Sequence, residues 1–358
     1  MTQKSQGGLS TPRKKAEEEP TPGLRCGQAR VTVPGIRSVR RMGEKQLNAV
    51  YSSGTMKRRY EVWSLRCGLA NGSGAWWFRY LIMNLGRGRQ DRAPANAPAQ
   101  VWATWFPRDG EPRTCIQGFS KEKLSLSQPT ALPFYCRIAD NGIEEGKCWG
   151  NLRADDLNIS WNLRLNSNFG FVLSNKGWIG FSKSPHSDAA FSGEISFGGR
   201  LYEGDPLGFG VQGHNCGYRH RTYWRWMHAY FPNGSKRRTT LEALVYDLPL
   251  GMTFRKVVLW HNDQETILQK ISEREIVRES GRLKWVFTGT APDGGHIEAT
   301  VEGNAPGIHR LPYTKTDGSG TFLVANASMA AATLKIESRR FKEALETNGG
   351  AVLEMGGI

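Results

Sequence analysis

Residues 205–231 read DPLGFGVQGHNCGYRHRTYWRWMHAYF and gather three of the chain's seven histidines and two of its twelve tryptophans. Every even position from His214 to Tyr230 except Thr222 carries a ring or a thiol. In an extended backbone side chains alternate with period two. One face then holds His214, Cys216, Tyr218, His220, Trp224, Trp226, His228 and Tyr230, and the other holds Arg219, Arg221 and Arg225. One strand of this length is unusual, so a turn is expected within 217–222, dividing the aromatic face into two patches.

The rest of the chain sets the scale. With 358 residues, 39% of them hydrophobic, it can bury a large core as two domains or one large all-β unit. The formal charge is +15, from 48 Lys and Arg against 33 Asp and Glu. Ten of the basic and four of the acidic residues fall in the first fifty, so the excess is concentrated at the N-terminus. Such a charge attracts nucleic acid or anionic lipid, and it also simply keeps a protein soluble. Residues 1–56, with Pro12, Lys14, Lys15, Glu17 to Glu19, Pro20 and Pro22 and little periodicity, read as a disordered basic tail. The tail has no apolar run of the kind that directs export, so a cytoplasmic location is expected. Met42 and Met56 precede the first well-patterned segment and are alternative starts to Met1. No run of about 18 apolar residues occurs, so no transmembrane segment is expected. The best candidate, 76–85, is interrupted by Arg79 and Asn84.

Several chemistries are disfavoured by spacing. The six cysteines (26, 67, 115, 136, 148 and 216) include no CxxC pair, and without an export signal they read as reduced core thiols. His214, His220 and His228 fit neither HExxH nor a cysteine-based zinc pattern, so neither metal nor cofactor is expected. The glycines of 208–213 spell GxGxxG, but a dinucleotide site needs that turn to lead from a strand into a helix, and the segment after Gly213 is rich in Trp and Tyr. They read instead as a tight bend or bulge in the chain. No GxSxG nucleophile elbow appears. Basic clusters at Lys57, Arg58 and Arg59, at Arg87 and Arg89, and at Lys236 to Arg238 carry no nucleic-acid reader motif. No specific nucleic acid is therefore expected as a partner, and at most a weak contact with an anionic membrane surface.

From Tyr60 onward the pattern is β almost throughout. Strands are expected at 76–85, 100–106, 149–152, 157–165, 223–231, 239–246, 254–260, 283–288, 296–301 and 322–325, where branched and aromatic residues lie between Gly- and Pro-bearing turns. Asn233–Gly234 supplies the positive backbone angles of a tight hairpin. Residues 264–278 are ambiguous between helix and strand, and 338–345 read as a short helical pattern before a Gly-rich coil. Many short strands with frequent Gly and Pro argue for closed or sandwiched antiparallel sheets.

Four stretches carry a resemblance. Trp76-Trp77-Phe78, Ile159-Ser160-Trp161-Asn162-Leu163-Arg164, Gly208 to Gly217 and Val324-Ala325-Asn326-Ala327-Ser328 occur in that order. They resemble, in turn, an EWWY-like first strand, an ISWDLR strand, a GYxDHNWG motif and a closing VxNxS strand of the tandem lipocalin-type family. That family includes hydroxyneurosporene synthase, a carotenoid hydratase, and the AttH proteins, with tocopherol cyclase more distantly similar. The resemblance implies two lipocalin-like antiparallel β-barrels or half-barrels in tandem. Their expected spans are 57–204, closing with a crossover at 193–204, and 205–340, followed by a tail at 341–358. It also implies an apolar isoprenoid- or lipid-like ligand as the partner, with acid-catalysed hydration or cyclisation of a double bond as the reaction. The sequence departs from the motifs at Ala75, Gly213 and Cys216, where Glu, Asp and Trp are expected.

Protonating an alkene calls for a buried acid. The candidates are His214, Glu194, Asp205 and Asp247, with His220 as a further imidazolium donor. If the aromatic face lines a barrel interior, Trp76, Asn215, Tyr218, Trp224, Trp226, His228 and Tyr230 form the ligand wall, their rings able to stabilise a carbocation. Tryptophans on strands are, however, commonly core residues, and a buried histidine is commonly satisfied by the barrel wall. A noncatalytic carrier or chaperone for an apolar molecule is the alternative function, and binding to nucleic acid or an anionic surface is a third.

Overall fold

The computed structural model describes residues 47–52, 58–84, 97–154, 157–220, 223–232, 238–317, 319–338 and 342–357. All of them belong to one compact unit, residues 42–358. Residues 1–46 and 53–56 of the expected N-terminal tail, the start sites Met42 and Met56, the Asn233–Gly234 turn, Cys26, Lys57, Arg87, Arg89, Lys236 and Arg237 lie outside the described residues, whereas residues 47–52, read as part of a disordered tail, are packed, with Leu47, Asn48, Val50 and Ser52 buried.

The fold is all-β. The first sheet contains β1 (Tyr60–Leu69), β2 (Gly74–Met83), β3 (Ala99–Pro107), β4 (Arg113–Phe119), β5 (Leu124–Leu126), β6 (Tyr135–Ile138), β7 (Asn141–Glu144), β8 (Lys147–Ala154), β9 (Leu157–Asn166), β10 (Phe171–Asn175), β11 (Gly180–Phe197) and β12 (Arg200–Gly217). The second contains β13 (Trp224–Phe231), β14 (Thr239–Asp247), β15 (Thr253–His261), β16 (Gln264–Ile267), β17 (Gln269–Arg278), β18 (Arg282–Thr290), β19 (His296–Asn304), β20 (His309–Thr314), β21 (Thr321–Glu337) and β22 (Lys342–Gly356).

The first sheet runs β4-β3-β2-β1-β12-β11-β9-β8-β7-β6-β5, with β10 paired to β11, and curls into a nearly closed antiparallel barrel. Gln117 Nε2 on β4 reaches Arg153 O on β8 across the unpaired seam (2.5 Å). The second runs β16-β15-β14-β13-β22-β21-β19-β18-β17, with β20 paired to β21. Leu268 N, in the link from β16 to β17, donates to Val257 O on β15 (3.0 Å). No helix among the described residues is long and apolar enough to cross a membrane.

Alternation sorts the side chains. On β1 and β2, Trp63, Leu65 and Cys67 join Trp76, Phe78, Tyr80 and Ile82 in the first barrel's interior, while Val62, Leu81 and Met83 pack in a separate cluster. Met227, Ala229 and Phe231 on β13 and Leu241, Ala243 and Val245 on β14 fill the second interior. Between the barrels lie three smaller clusters, among them Trp77 with Phe106 and Val352, and Trp102 with Leu311, Tyr313 and Val324. Arg66 reaches from β1 into the second barrel, donating to Ser328 O (2.7 Å) and Gly349 O (2.5 Å).

Three sequence expectations change. Residues 200–217 close the first barrel, pairing with β1 and β11, so the chain changes sheets between Gly217 and Trp224 and not at 205. The expected crossover at 193–204 is the hairpin joining β11 to β12. Residues 342–356, read as a helical start and a coil tail, are a strand paired with both β13 and β21. Local helical spacing lost there because β21 offers residues 342–345 backbone partners along an extended ladder, which β13 joins from residue 351 onward. The ambiguous stretch 264–278 is β16 and β17.

Gly208 and Gly210 lie within β12, and a Cβ at either would collide with the β1 backbone at Gly68 O and Arg66 O. These glycines permit close strand approach, and the next element among the described residues is the strand β13, not the helix a dinucleotide site needs.

Candidate functional site

A cavity of about 760 Å³ lies between the two barrels. The first barrel contributes Tyr60, Val62 and Ser64 from β1, Trp77 and Arg79 from β2, and residues of β10 to β12. The second contributes Trp224 and Trp226 from β13, Glu242, Leu244 and Tyr246 from β14, Tyr313 and Glu354. Ile179 and Tyr218, 42% and 41% exposed, mark its rim.

The placement is set by the strands. β13 and β14 present odd-numbered residues to their own barrel, so the even-numbered set faces outward onto the first barrel. The indole of Trp226 meets that of Trp77 edge-on (centroids 5.9 Å). Trp224 packs against Tyr313 and Phe322.

Glu242 is the chemically distinctive residue. It is 1% exposed, and its carboxyl accepts from Ser184 Oγ (2.6 Å), Ser187 Oγ (3.2 Å) and Trp226 Nε1 (2.8 Å). All three donors are neutral, so burial dominates and pushes the carboxyl up to about 7, the hydrogen bonds opposing this only in part. Glu354, across β13, accepts from Trp224 Nε1 (3.2 Å), Tyr313 Oη (3.1 Å) and Asn326 Nδ2 (3.3 Å). Burial raises it too, with Arg79 pulling the other way. Each carboxyl thus receives an indole N–H on the cavity wall. Asn326 belongs to the 324–328 motif, and Ser328 Oγ donates to its Oδ1 (2.8 Å).

The expected site residues separate into three groups. Asn215, Tyr218, Trp224 and Trp226 line the cavity. His214, Trp76, His228 and Tyr230 do not. Trp76 is fully buried inside the first barrel against Phe78 and Trp105. His228 Nε2 donates to Ser187 O (2.7 Å), and burial brings its imidazole down to about 3. Tyr230 stacks on Phe209 (4.8 Å). Glu194, Asp205 and Asp247 are exposed and outside the cavity. His220 lines the cavity, but burial, assisted by Arg79, lowers it to about 3, so it is a neutral imidazole and no imidazolium donor near neutral pH.

His214 serves a different structure. Its Nδ1 donates to Leu47 O (2.6 Å) and its Nε2 contacts Glu61 Oε1 (2.8 Å). A carbonyl can only accept, so Nδ1 is the donor to Leu47 and Nε2 is the nitrogen hydrogen-bonded to the carboxyl. Glu61 also accepts from Tyr51 N (2.8 Å) and Ser52 N (2.7 Å). The pair ties the segment 47–52 to β1 and β12, with Trp63 stacked on the imidazole (4.8 Å).

Glu242, Glu354 and Arg79 are charged or ionisable cavity-wall residues that the sequence reading did not single out. The signal for Glu242 is faint: one acid inside the strand TTLEALVYD, whose other acid, Asp247, is its last residue.

The five described cysteines are buried, and burial raises Cys67 and Cys216 to about 12, which makes these two inert core thiols. Among the described residues no three His, Cys, Asp or Glu side chains converge as a metal site.

No protein-family model matches the sequence, and no curated protein matches it. Solved structures are similar in shape. CghA superposes with a TM-score of 0.55 at 11% identity, covering 85% of this chain and 89% of its own. A protein assigned as an AttH, from Nitrosomonas europaea, gives 0.51 at 12% identity, covering 91% and 98%. Kievitone hydratase from Nectria haematococca gives 0.49 at 10% identity, covering 88% and 94%. The chain shares the fold of CghA and the AttH protein, and has the lipocalin-like tandem-barrel architecture to which its motifs pointed.

Proposed function

We propose that the protein binds an apolar isoprenoid- or lipid-like molecule in the cavity between its barrels and that Glu242 protonates a double bond of it, leading to hydration or cyclisation. The observation that carries this reading is a buried carboxyl near pKa 7, held only by neutral donors, on the wall of an aromatic cavity. A general acid works best with a pKa near the operating pH. Glu242 would give its proton to one alkene carbon, and the cation on the neighbouring carbon would face the rings of Trp77, Trp224 and Trp226. In hydration, water adds to that cation and the oxonium returns a proton to the Glu242 carboxylate. In cyclisation, a second double bond of the ligand attacks and a carbon-bound proton leaves to the same carboxylate. No cofactor is needed for either balance.

Native mass spectrometry of protein purified without detergent, with mass analysis of its organic extract, identifies the ligand class. Incubating the extracted compound class with enzyme in D2O then leaves one deuterium on carbon per turnover, and Glu242→Gln removes that label while binding persists. The aromatic lining alone equally supports a carrier, and a carrier predicts a bound ligand with no deuterium incorporated by the wild type. A polar extract, or an empty cavity that takes up no polyene, overturns both readings.

A further inference from the structure

The cavity wall carries a cation for which an apolar ligand has no use. Arg79 is 4% exposed and its guanidinium lies between two rings, 4.7 Å from that of Trp102 and 4.1 Å from that of Tyr313. Its Nη1 is buried with no hydrogen-bond partner. The carboxyl of Glu354 is close enough to act on it electrostatically, yet its hydrogen-bond donors are Trp224, Tyr313 and Asn326. His220, packed on the same Tyr313 ring (5.7 Å), has an equally buried and unpartnered Nδ1. Both residues line the cavity. Leaving a buried guanidinium N–H and an imidazole nitrogen unsatisfied is costly unless something else completes them. Lys176, Lys183 and Arg219 also line the cavity, and among the described residues Glu242 and Glu354 are the only acids on its wall.

We propose that this cavity selects ligands ending in a delocalised oxyanion, a carboxylate or an acidic enolate, which docks on Arg79 and His220 while the apolar body extends toward Trp226 and Glu242. The inference rests on the reading of the cavity as an apolar-ligand site and adds the ligand's head group. Arg79 lies two residues from Trp77 on β2, one strand repeat of ~7 Å, Trp77 touches Trp226, and the Trp226 indole donates to Glu242, so an aromatic spacer separates the oxyanion from the acid. A planar guanidinium suits a planar two-oxygen group, and the basic cavity residues favour entry of an anion.

The test compares retinoic acid with retinol, one polyene with two head groups, by quenching of tryptophan fluorescence. Wild type should bind the acid at least about tenfold tighter than the alcohol. Arg79→Met should weaken the acid by about 10- to 100-fold, the scale of a hydrogen bond to a charged group, and leave retinol level. Arg79→Lys should fall between, and His220→Leu should show a smaller loss confined to the acid. Equal binding of both probes by wild type, or equal loss of both in Arg79→Met, overturns the anchor while the apolar-ligand reading survives. Binding of neither probe by wild type sinks the cavity reading and the anchor together. If Arg79→Met fails to fold, the acid-to-alcohol ratio in Arg79→Lys and His220→Leu decides, and an unchanged ratio in both counts against the proposal.

Discussion

Two buried glutamates, Glu61 in the first barrel and Glu242 on the second, show how little residue type says about role. Glu61 is fully buried and saturated by two backbone N–H groups and His214, which is the pattern of a structural tie. Glu242 is as deeply buried, but its donors are two hydroxyls and an indole and it borders an open cavity. A carboxyl surrounded by neutral donors in a low-dielectric site keeps its proton to higher pH, and a neighbouring void gives that proton somewhere to go. The histidine motif that dominates the sequence therefore holds the fold, whereas an inconspicuous acid on β14 faces the cavity.

The most direct way to break this contrast is to neutralise each acid. Glu242→Gln should lower alkene protonation by about 10²- to 10⁴-fold, read as loss of carbon-bound deuterium, with ligand affinity preserved. Retained activity in a folded Glu242→Gln protein would place the acid elsewhere. Glu61→Ala should instead destabilise the fold by about 3–5 kcal/mol, because His214 and the Tyr51 and Ser52 amides lose their acceptor. Denaturant unfolding would show the loss, and hydrogen exchange would show it centred on 47–52. A Glu61→Ala protein of unchanged stability would remove the structural assignment.

The tryptophans offer a second contrast. Trp76→Ala, inside the first barrel, should cost about 3–5 kcal/mol of stability, whereas Trp224→Ala, on the cavity wall, should weaken polyene binding about tenfold or more. Equal effects of both on stability and on binding would erase the distinction between barrel core and cavity.

A smaller effect concerns pH. Below about pH 4.5 Glu242 is protonated in both folded and unfolded chains and contributes nothing. As pH rises the unfolded carboxyl ionises first, so stability falls by up to ~3 kcal/mol between pH 4.5 and about 7 and stays lower above that. Glu242→Gln should flatten that decline. His228 has the opposite dependence. Its imidazole is held down to about 3, so its share of stability is present above pH 6.5 and is lost as pH falls toward 3. Melting curves across pH 4 to 9 for the wild type and Glu242→Gln would resolve the carboxyl's share.

Much of the fold was legible in advance. Alternation placed most of the strands, and the order of the 76–78, 159–164, 208–217 and 324–328 motifs pointed to tandem barrels. Periodicity is local, set by the two-residue repeat of extended backbone, so the sequence by itself determined that the chain is β and which residues of a strand share a face. Inside versus outside is not local. The even-numbered face of 205–231 turns into the first barrel at His214 and out of the second at Trp224 and Trp226, because the chain changes sheets between them. Glu242 sits on the outward face of an alternating strand, where an acid ordinarily meets water. Only the packing of the first barrel against that face buries it, raises its pKa and gives it a cavity. That tertiary contact, made by strands tens of residues away, decided the site.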